Sequence, residues 1–289
     1  MSETLPEEVE LKLALGSHGA AQLLRHPALD ALPQRRERLT NTYYDTPDGA
    51  LEAARVALRI RRTTEHTLQT LKTAGSGSGG LSTRGEWEWE IDGDGLDRES
   101  LRDLPPMQAL DDTLLETLAP RFTTDFERLR WLVEHPDATI EVALDRGEIR
   151  AGEHCVAIEE LELELKAGDP ETLWRLAREL AEQVPLRPAN VSKAARGAAL
   201  DRGHWQLPAL PEDARARADH ATYLLDAFTD TRRPGHLQKA ADTYRRLADD
   251  HLLDAAVRHH AHALAAALAH PAWLTAAFGQ HSLALYQAL

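Results

Sequence analysis

The stretch "EEVELKLAL", residues 7–15, decides how the rest of the chain is read. Glu8, Glu10 and Lys12 fall on every second position, with Val9, Leu11 and Leu13 between them. As a β-strand, it turns charges to one side and an apolar stripe to the other. The pattern returns in "LRIRR" (58–62), "RGEWEWEI" (84–91), "FERLRWLV" (126–133) and "EELELELK" (159–166), with the sign of the charge changing from strand to strand. A sheet with one wet face would give such alternation. Two features point elsewhere. Cross-strand pairing ordinarily mixes signs within a strand, yet these strands carry blocks of one sign, such as Arg59 with Arg61 and Glu160 with Glu162. Opposite the charges stand Trp87, Trp89 and Leu161, which need burial. If helices cover that apolar face, the charges line the inside of a barrel wide enough for a ligand.

Further alternating runs predict strands at 39–45, 55–63, 66–73, 82–91, 125–134, 138–145, 148–151 and 155–166. Three stretches predict helices: "GAAQLLRHPAL" (19–29), "LPPMQALDDTLLETLA" (104–119) and "DPETLWRLARELAEQV" (169–184), the last with an Asp cap and a Pro in its first turn. So many strands with few helices suggest an antiparallel barrel or sandwich clothed by helices, an α+β fold. After "HWQLPALPED" the chain turns Ala- and Leu-rich and reads as several helices. The expected division is 1–204 for the strand-rich domain and 212–289 for a small all-α domain, with the boundary at the Pro-containing 205–211.

The chain of 289 residues has 28% charged and 43% hydrophobic residues and a formal charge of −14, which argue for a soluble globular protein without general affinity for nucleic acid or anionic membrane. No apolar run has membrane-spanning length, and "MSETLPEE" is acidic rather than signal-like. The single cysteine, Cys155, reads as a small buried strand residue and fits a reducing cytoplasm. Gly75, Gly77 and Gly80 match G-x-G-x-x-G, but a strand rather than a helix follows, so "GSGSGG" reads as a flexible hairpin loop.

A dry lumen lined with both signs of charge is costly. A water-filled one suits a ligand that is anionic and metal-bound: Arg and Lys grip phosphate oxygens, and Glu clusters hold Mg²⁺ or Mn²⁺.

At this point the residues resemble a known family. The opening E-x-E-x-K of Glu8, Glu10 and Lys12 resembles the signature of the CYTH domain, the triphosphate tunnel metalloenzymes. "YYDTPDGAL", "LRIR", Lys72, "RGEWEWE", "DFERLRW", "VALDRGEI", "IEELELELK" and "PANVSKAARG" follow in the family's order, over residues 1 to about 200. The resemblance implies an eight-stranded antiparallel barrel forming a tunnel. It also implies a triphosphate clamp of Lys12, Arg59, Arg61, Lys72, Arg128 and Lys193, with Arg130 and Arg196 as further phosphate contacts. Metal-side carboxylates would be Glu8, Glu10, Glu160 and Glu162, joined by Glu86, Glu88 and Asp145.

The implied activity is hydrolysis of the terminal phosphoanhydride of inorganic triphosphate with one or two Mg²⁺ or Mn²⁺ ions. Thiamine triphosphatase, nucleoside triphosphatase, adenylate cyclase and a non-catalytic polyphosphate-binding module are the alternatives. Few aromatic residues (5%) favour a substrate without a ring to stack. The C-terminal helices are only vaguely similar to a CHAD domain, whose basic, histidine-containing motifs are missing from 212–289. They would pack on the barrel or on a second copy, making a homodimer. In "RHHAHALAAALAH", His259 and His262 share a helix face with His260 off it. No acidic or Cys partner follows at ligand spacing, so packed or solvated histidines are expected there.

Overall fold

The computed structural model describes residues 7–108, 110–111 and 113–289. Nine strands are found among them: β1 (Glu7–Leu15), β2 (Arg35–Asp45), β3 (Val56–Arg62), β4 (Thr67–Thr73), β5 (Leu81–Glu90), β6 (Ala119–His135), β7 (Ala138–Ala151), β8 (His154–Gly168) and β9 (Leu186–Pro188). They form one antiparallel sheet in the order β5-β4-β3-β2-β6-β7-β8-β1-β9. β1 also pairs with β5, from Glu7 opposite Gly85 to Leu11 opposite Leu81, and this closes eight strands into a barrel. β9 takes over the same edge of β1 beyond β5, with Leu13 opposite Pro188.

Both faces of β1 are buried. Leu11 and Leu13 are fully buried in the main apolar core, while Glu10 and Lys12 are 2% and 5% exposed on the other face. The alternation therefore marks an inside and a covered outside, with no wet face in the middle of the strand. Burying one leucine contributes about 1.5–3 kcal/mol, so a register slip that exchanged the faces would lose several such terms at once.

Helices cover the barrel on two sides. On one side β3 to β5 are covered by α3 (Arg98–Arg102), α4 (Pro105–Gln108) and α5 (Leu114–Thr117), where Leu101, Met107 and Leu115 meet Leu58, Leu71, Trp87 and Trp89. The single helix expected over 104–119 is thus two short ones, with Ala109 and Asp112 outside the described residues; Pro105 and Pro106 open the first, and the Asx turn at Asp111 interrupts what would follow. Likewise the stretch 19–29 holds only the short α1 (Gly19–Leu23), because Pro27 prevents continuation. α2 (Ala50–Ala53) follows β2. The break expected in β7, between 145 and 148, is absent. Gly147 carries the strand through because a Cβ there would come 2.1 Å from the Asp125 carbonyl oxygen of β6.

On the other side α6 (Glu171–Ala181) packs on β1 and β8. α7 (Lys193–Asp201) lies across the inner ends of β6 to β8, over an apolar plug of Leu39, Tyr43, Phe122, Phe126, Ile149 and Ile158. The C-terminal helices are α8 (Ala214–Thr231), α9 (Pro234–Ala248), α10 (Ala255–Ala267) and α11 (Ala276–Ala288). They share one continuous core with the barrel: Leu224, Leu264, Phe278 and Leu285 belong to the same cluster as Leu11 and Leu163. No described helix is long and apolar enough to cross a membrane.

Two local expectations are corrected. Cys155 is exposed, near the tip of the β7–β8 hairpin, where its thiol donates to Glu148 (3.2 Å). Alternation shows which side a residue faces but not where the covering layer ends. The "GSGSGG" hairpin is held rather than loose. Gly80 accepts from Lys12 N–H (2.9 Å) and donates to Asn190 Oδ1 (2.7 Å), and Gly79 donates to Asp219 Oδ1 (2.9 Å). Gly80 has φ +86°, and a Cβ there would stand 2.4 Å from the Lys12 carbonyl oxygen.

Candidate active site

The inward faces of the strands enclose a cavity of about 870 Å³. Glu8, Glu10 and Lys12 reach it from β1, Arg59 and Arg61 from β3, and Lys72 from β4. Arg84, Glu86 and Glu88 come from β5, Arg128 and Arg130 from β6, Glu162 from β8 and Lys193 from the start of α7. Period-two alternation on closed strands is what gathers side chains from such distant positions.

The charges form two districts. In the first, Lys72 Nζ lies 2.9 Å from Glu8 and 2.8 Å from Glu86, while Arg84 bonds Glu8 (2.8 Å) and lies 3.0 Å from Glu10. Burial would raise the Glu8 carboxyl, but Lys72 and Arg84 outweigh it and hold Glu8 well below the usual range. Burial keeps Glu86 above its usual value, against the pull of Lys72. Burial and repulsion from Arg84 and Arg59 lower the Lys72 ammonium. In the second district, Arg128 grips Asp145 through two bonds of 2.7 Å and Glu162 at 2.5 Å. Lys193 meets Asp145 (2.6 Å), Glu162 (3.0 Å) and Glu160. Lys193 and Arg128 overcome burial to keep Glu162 well below its ordinary value, and the three carboxylates hold Lys193 protonated.

Between these districts Arg59 and Arg61 stand side by side, and the first is balanced far better than the second: burial would lower Arg59, but Tyr43, Glu86 and Glu88 outweigh it and raise it. Arg59 is 3.9 Å from both Glu86 and Glu88. Arg61 donates to Asn41 (2.9 Å) and has no carboxylate partner within 4.0 Å among the described residues. Its guanidinium is pushed down to about 10 by burial and by the charges of Arg59 and Arg128. An under-compensated cation such as Arg61 is a place for phosphate oxygens.

Three sequence-predicted residues stand behind the lining. Asp145 is fully buried as the shared partner of Arg128 and Lys193, and Glu160 is 4% exposed beneath Lys193. Arg196 is taken up by Asp230 (2.6 Å) and the Ala157 carbonyl oxygen (2.6 Å). Arg84 stands on the charged face of 84–91 with Glu86 and Glu88 but is not among the residues that the resemblance implies. Other inward residues escaped the sequence. Tyr43 and Asn41 face inward but carry no charge pattern. Asp219 and Tyr223 of α8 also line the cavity, and no local motif announces them.

Ser192 caps α7, accepting from Ala195 N–H (3.2 Å), and so sets Lys193 at the helix start. The helix approaches the barrel at Gly197, where a Cβ would fall 2.1 Å from the Phe122 ring, itself stacked on Tyr43 at 4.7 Å. Gly197→Ala is expected to cost about 1–3 kcal/mol by overpacking and to lift α7 with Lys193. Thermal unfolding together with tripolyphosphate affinity checks it; an unchanged midpoint and affinity would show that α7 has room to shift.

A family model described as CYTH domain matches residues 6–198. An inorganic triphosphatase of Haemophilus influenzae is 37% identical over 203 residues, which are 68% of this chain and 56% of that protein. The chain thus matches little more than half the length of that relative. A solved structure from Hippeastrum, described as a candidate adenylyl cyclase with a dominant triphosphatase activity, superposes with a TM-score of 0.50 at 22% identity, covering 69% of this chain and 97% of that one.

Proposed function

The chain belongs to the CYTH domain family, and from that premise we propose that it hydrolyses the terminal phosphoanhydride of inorganic triphosphate with the help of a divalent metal ion. The observation that carries this is the pair Arg59 and Arg61 in the cavity, the first only 3.9 Å from Glu86 and Glu88 and the second half-buried with Asn41 as its hydrogen-bond partner and no carboxylate within 4.0 Å among the described residues. Lys12, Lys72, Arg128 and Lys193 surround that pair in one cavity.

The donor set fits a hard cation. Glu8, Glu10, Glu86, Glu88 and Glu162 offer only oxygens, and Glu10 Oε1 is buried without a hydrogen bond although Arg84 and Lys12 lie 3.0 and 3.4 Å away. Asp145 and Glu160 complete the acidic wall behind Lys193. Bound Mg²⁺ or Mn²⁺ would supply polarisation of phosphoryl oxygens and a bound water of lowered pKa. The chain's own part is electrostatic. The cations orient the triphosphate and neutralise charge gathering on the bridging oxygen as its bond to the terminal phosphorus breaks and the bond from water forms. Pyrophosphate and orthophosphate result, and the water's proton passes to the coupled carboxylates as a group.

Support for an inorganic substrate comes from the lining aromatics, which are already engaged. Tyr43 stacks on Phe122, and Tyr223 meets Trp205 edge-on at 5.3 Å. The test is phosphate release from tripolyphosphate, ATP and thiamine triphosphate in Mg²⁺, Mn²⁺ and EDTA. Release from tripolyphosphate that is fastest of the three and abolished by EDTA is expected. Tight binding without turnover in any metal would make this a polyphosphate-binding module instead. Arg59→Ala is expected to raise KM and lower kcat together, with kcat/KM falling about 10–100-fold, since it removes a charged hydrogen-bond donor. Parental kinetics in that variant would remove Arg59 from the site.

A further inference from the structure

Away from the barrel interior, ligand-type side chains converge a second time. His259 and His260 on α10 and His281 on α11 place ring nitrogens within 4.8 Å of one another. Nδ1 of His260 and Nδ1 of His281 are 3.0 Å apart, and the three ring centroids are separated by 5.3, 5.3 and 5.7 Å. The helix face that His259 shares with His262 is not what assembles the cluster, and the histidines expected to be merely packed or solvated include three that converge. Packing of α10 against α11 brings in His281, 21 residues beyond His260.

We propose that His259, His260 and His281 form a transition-metal site that joins α10 to α11 and takes a borderline divalent ion such as Zn²⁺. The geometry is close to what such an ion needs. Nitrogens 2.0–2.1 Å from a tetrahedral ion stand about 3.3–3.4 Å apart. The His260–His281 pair is already at that scale, and His259, which is exposed, closes the remaining gap by side-chain rotation. A set of imidazoles without a carboxylate selects against Mg²⁺ and Mn²⁺, the ions that suit the barrel. Three protein ligands leave a fourth position for water, and α11 in turn packs on α6 and β9. The bound ion would therefore fasten α10 to the helix that packs on α6 and β9. Nothing in this inference depends on the triphosphatase activity.

The test uses the full chain, stripped with chelator and held in excess Mg²⁺ so that the barrel carboxylates are occupied. Zinc chloride is titrated by calorimetry into the parent and into His281→Ala, His259→Ala and His262→Ala, with the unfolding midpoint followed in parallel. The parent and His262→Ala are expected to bind one zinc ion more than the other two and to gain a zinc-dependent rise in midpoint. Because His259 is exposed, its replacement leaves packing intact and keeps the test sound if His281→Ala folds poorly. Equal stoichiometry and equal midpoints across all four proteins would overturn the site. Loss of the extra ion in His262→Ala would overturn the assignment of its ligands.

Discussion

Glu10→Gln is expected to lower metal-supported phosphate release from tripolyphosphate by about 10²–10³-fold, the scale of losing one preorganised electrostatic group in a reaction site. Gln has the shape of Glu and none of its charge. Glu10 is 2% exposed, with a carboxylate oxygen that makes no hydrogen bond inside the cavity. In the absence of a ligand its role is limited to ion pairs with Arg84 and Lys12. Arg84 keeps its bond to Glu8 in the variant (2.8 Å), so the barrel has no reason to open. Steady-state rates over a Mg²⁺ titration, with circular dichroism as the folding control, check this. A kcat within about threefold of the parent at every metal concentration would take Glu10 out of the metal-side wall.

Asp226→Ala is expected to be the most destabilising single change away from the cavity. Asp226 accepts from Arg187 (2.6 Å) and from the N–H groups of Asn190 (2.9 Å) and Val191 (3.1 Å). Arg187 is 1% exposed. Removing one member of a buried pair leaves the other charge stranded and costs about 3–5 kcal/mol, which lowers the unfolding midpoint by roughly 6–20 °C in a protein of this size. The segment released runs directly into Ser192 and Lys193, so affinity for tripolyphosphate falls as well. Asp226→Asn retains an acceptor oxygen without the charge and should lie between the two. A midpoint within about 2 °C of the parent for Asp226→Ala would mean that water or a neighbour compensates Arg187.

The barrel was legible because its information is local. In β1, β3, β5 and β8 the period of two separates Leu11 from Lys12, Ile60 from Arg61, Trp87 from Glu88 and Leu163 from Glu162 within a few residues. The same period names most of the charged residues of the cavity lining. It fails where a strand is too short to show a period, as in Leu186–Pro188, and where an inward residue is uncharged, as with Asn41 and Tyr43. It also leaves Lys193 and Arg196 alike on paper. One enters the cavity and the other is claimed by Asp230, a residue 34 positions on whose approach is fixed only by how α8 packs. His281 is hidden for the same reason: the packing of two helices, not spacing along one, brings it to His260.

Asp219, Asp226 and Asp230 lie at intervals of seven and four, on one side of α8. Each meets a different part of the barrel: Asp219 the glycine hairpin, Asp226 the β9 segment and Asp230 the α7 helix. In this chain the triplet D-x6-D-x3-D, matched by Arg187 and Arg196 and by the Gly79 N–H, rivets the tail to the barrel at three separate places. A graft that replaces the tail must reproduce the triplet, or it inherits two stranded arginines beneath the lysine that faces the substrate.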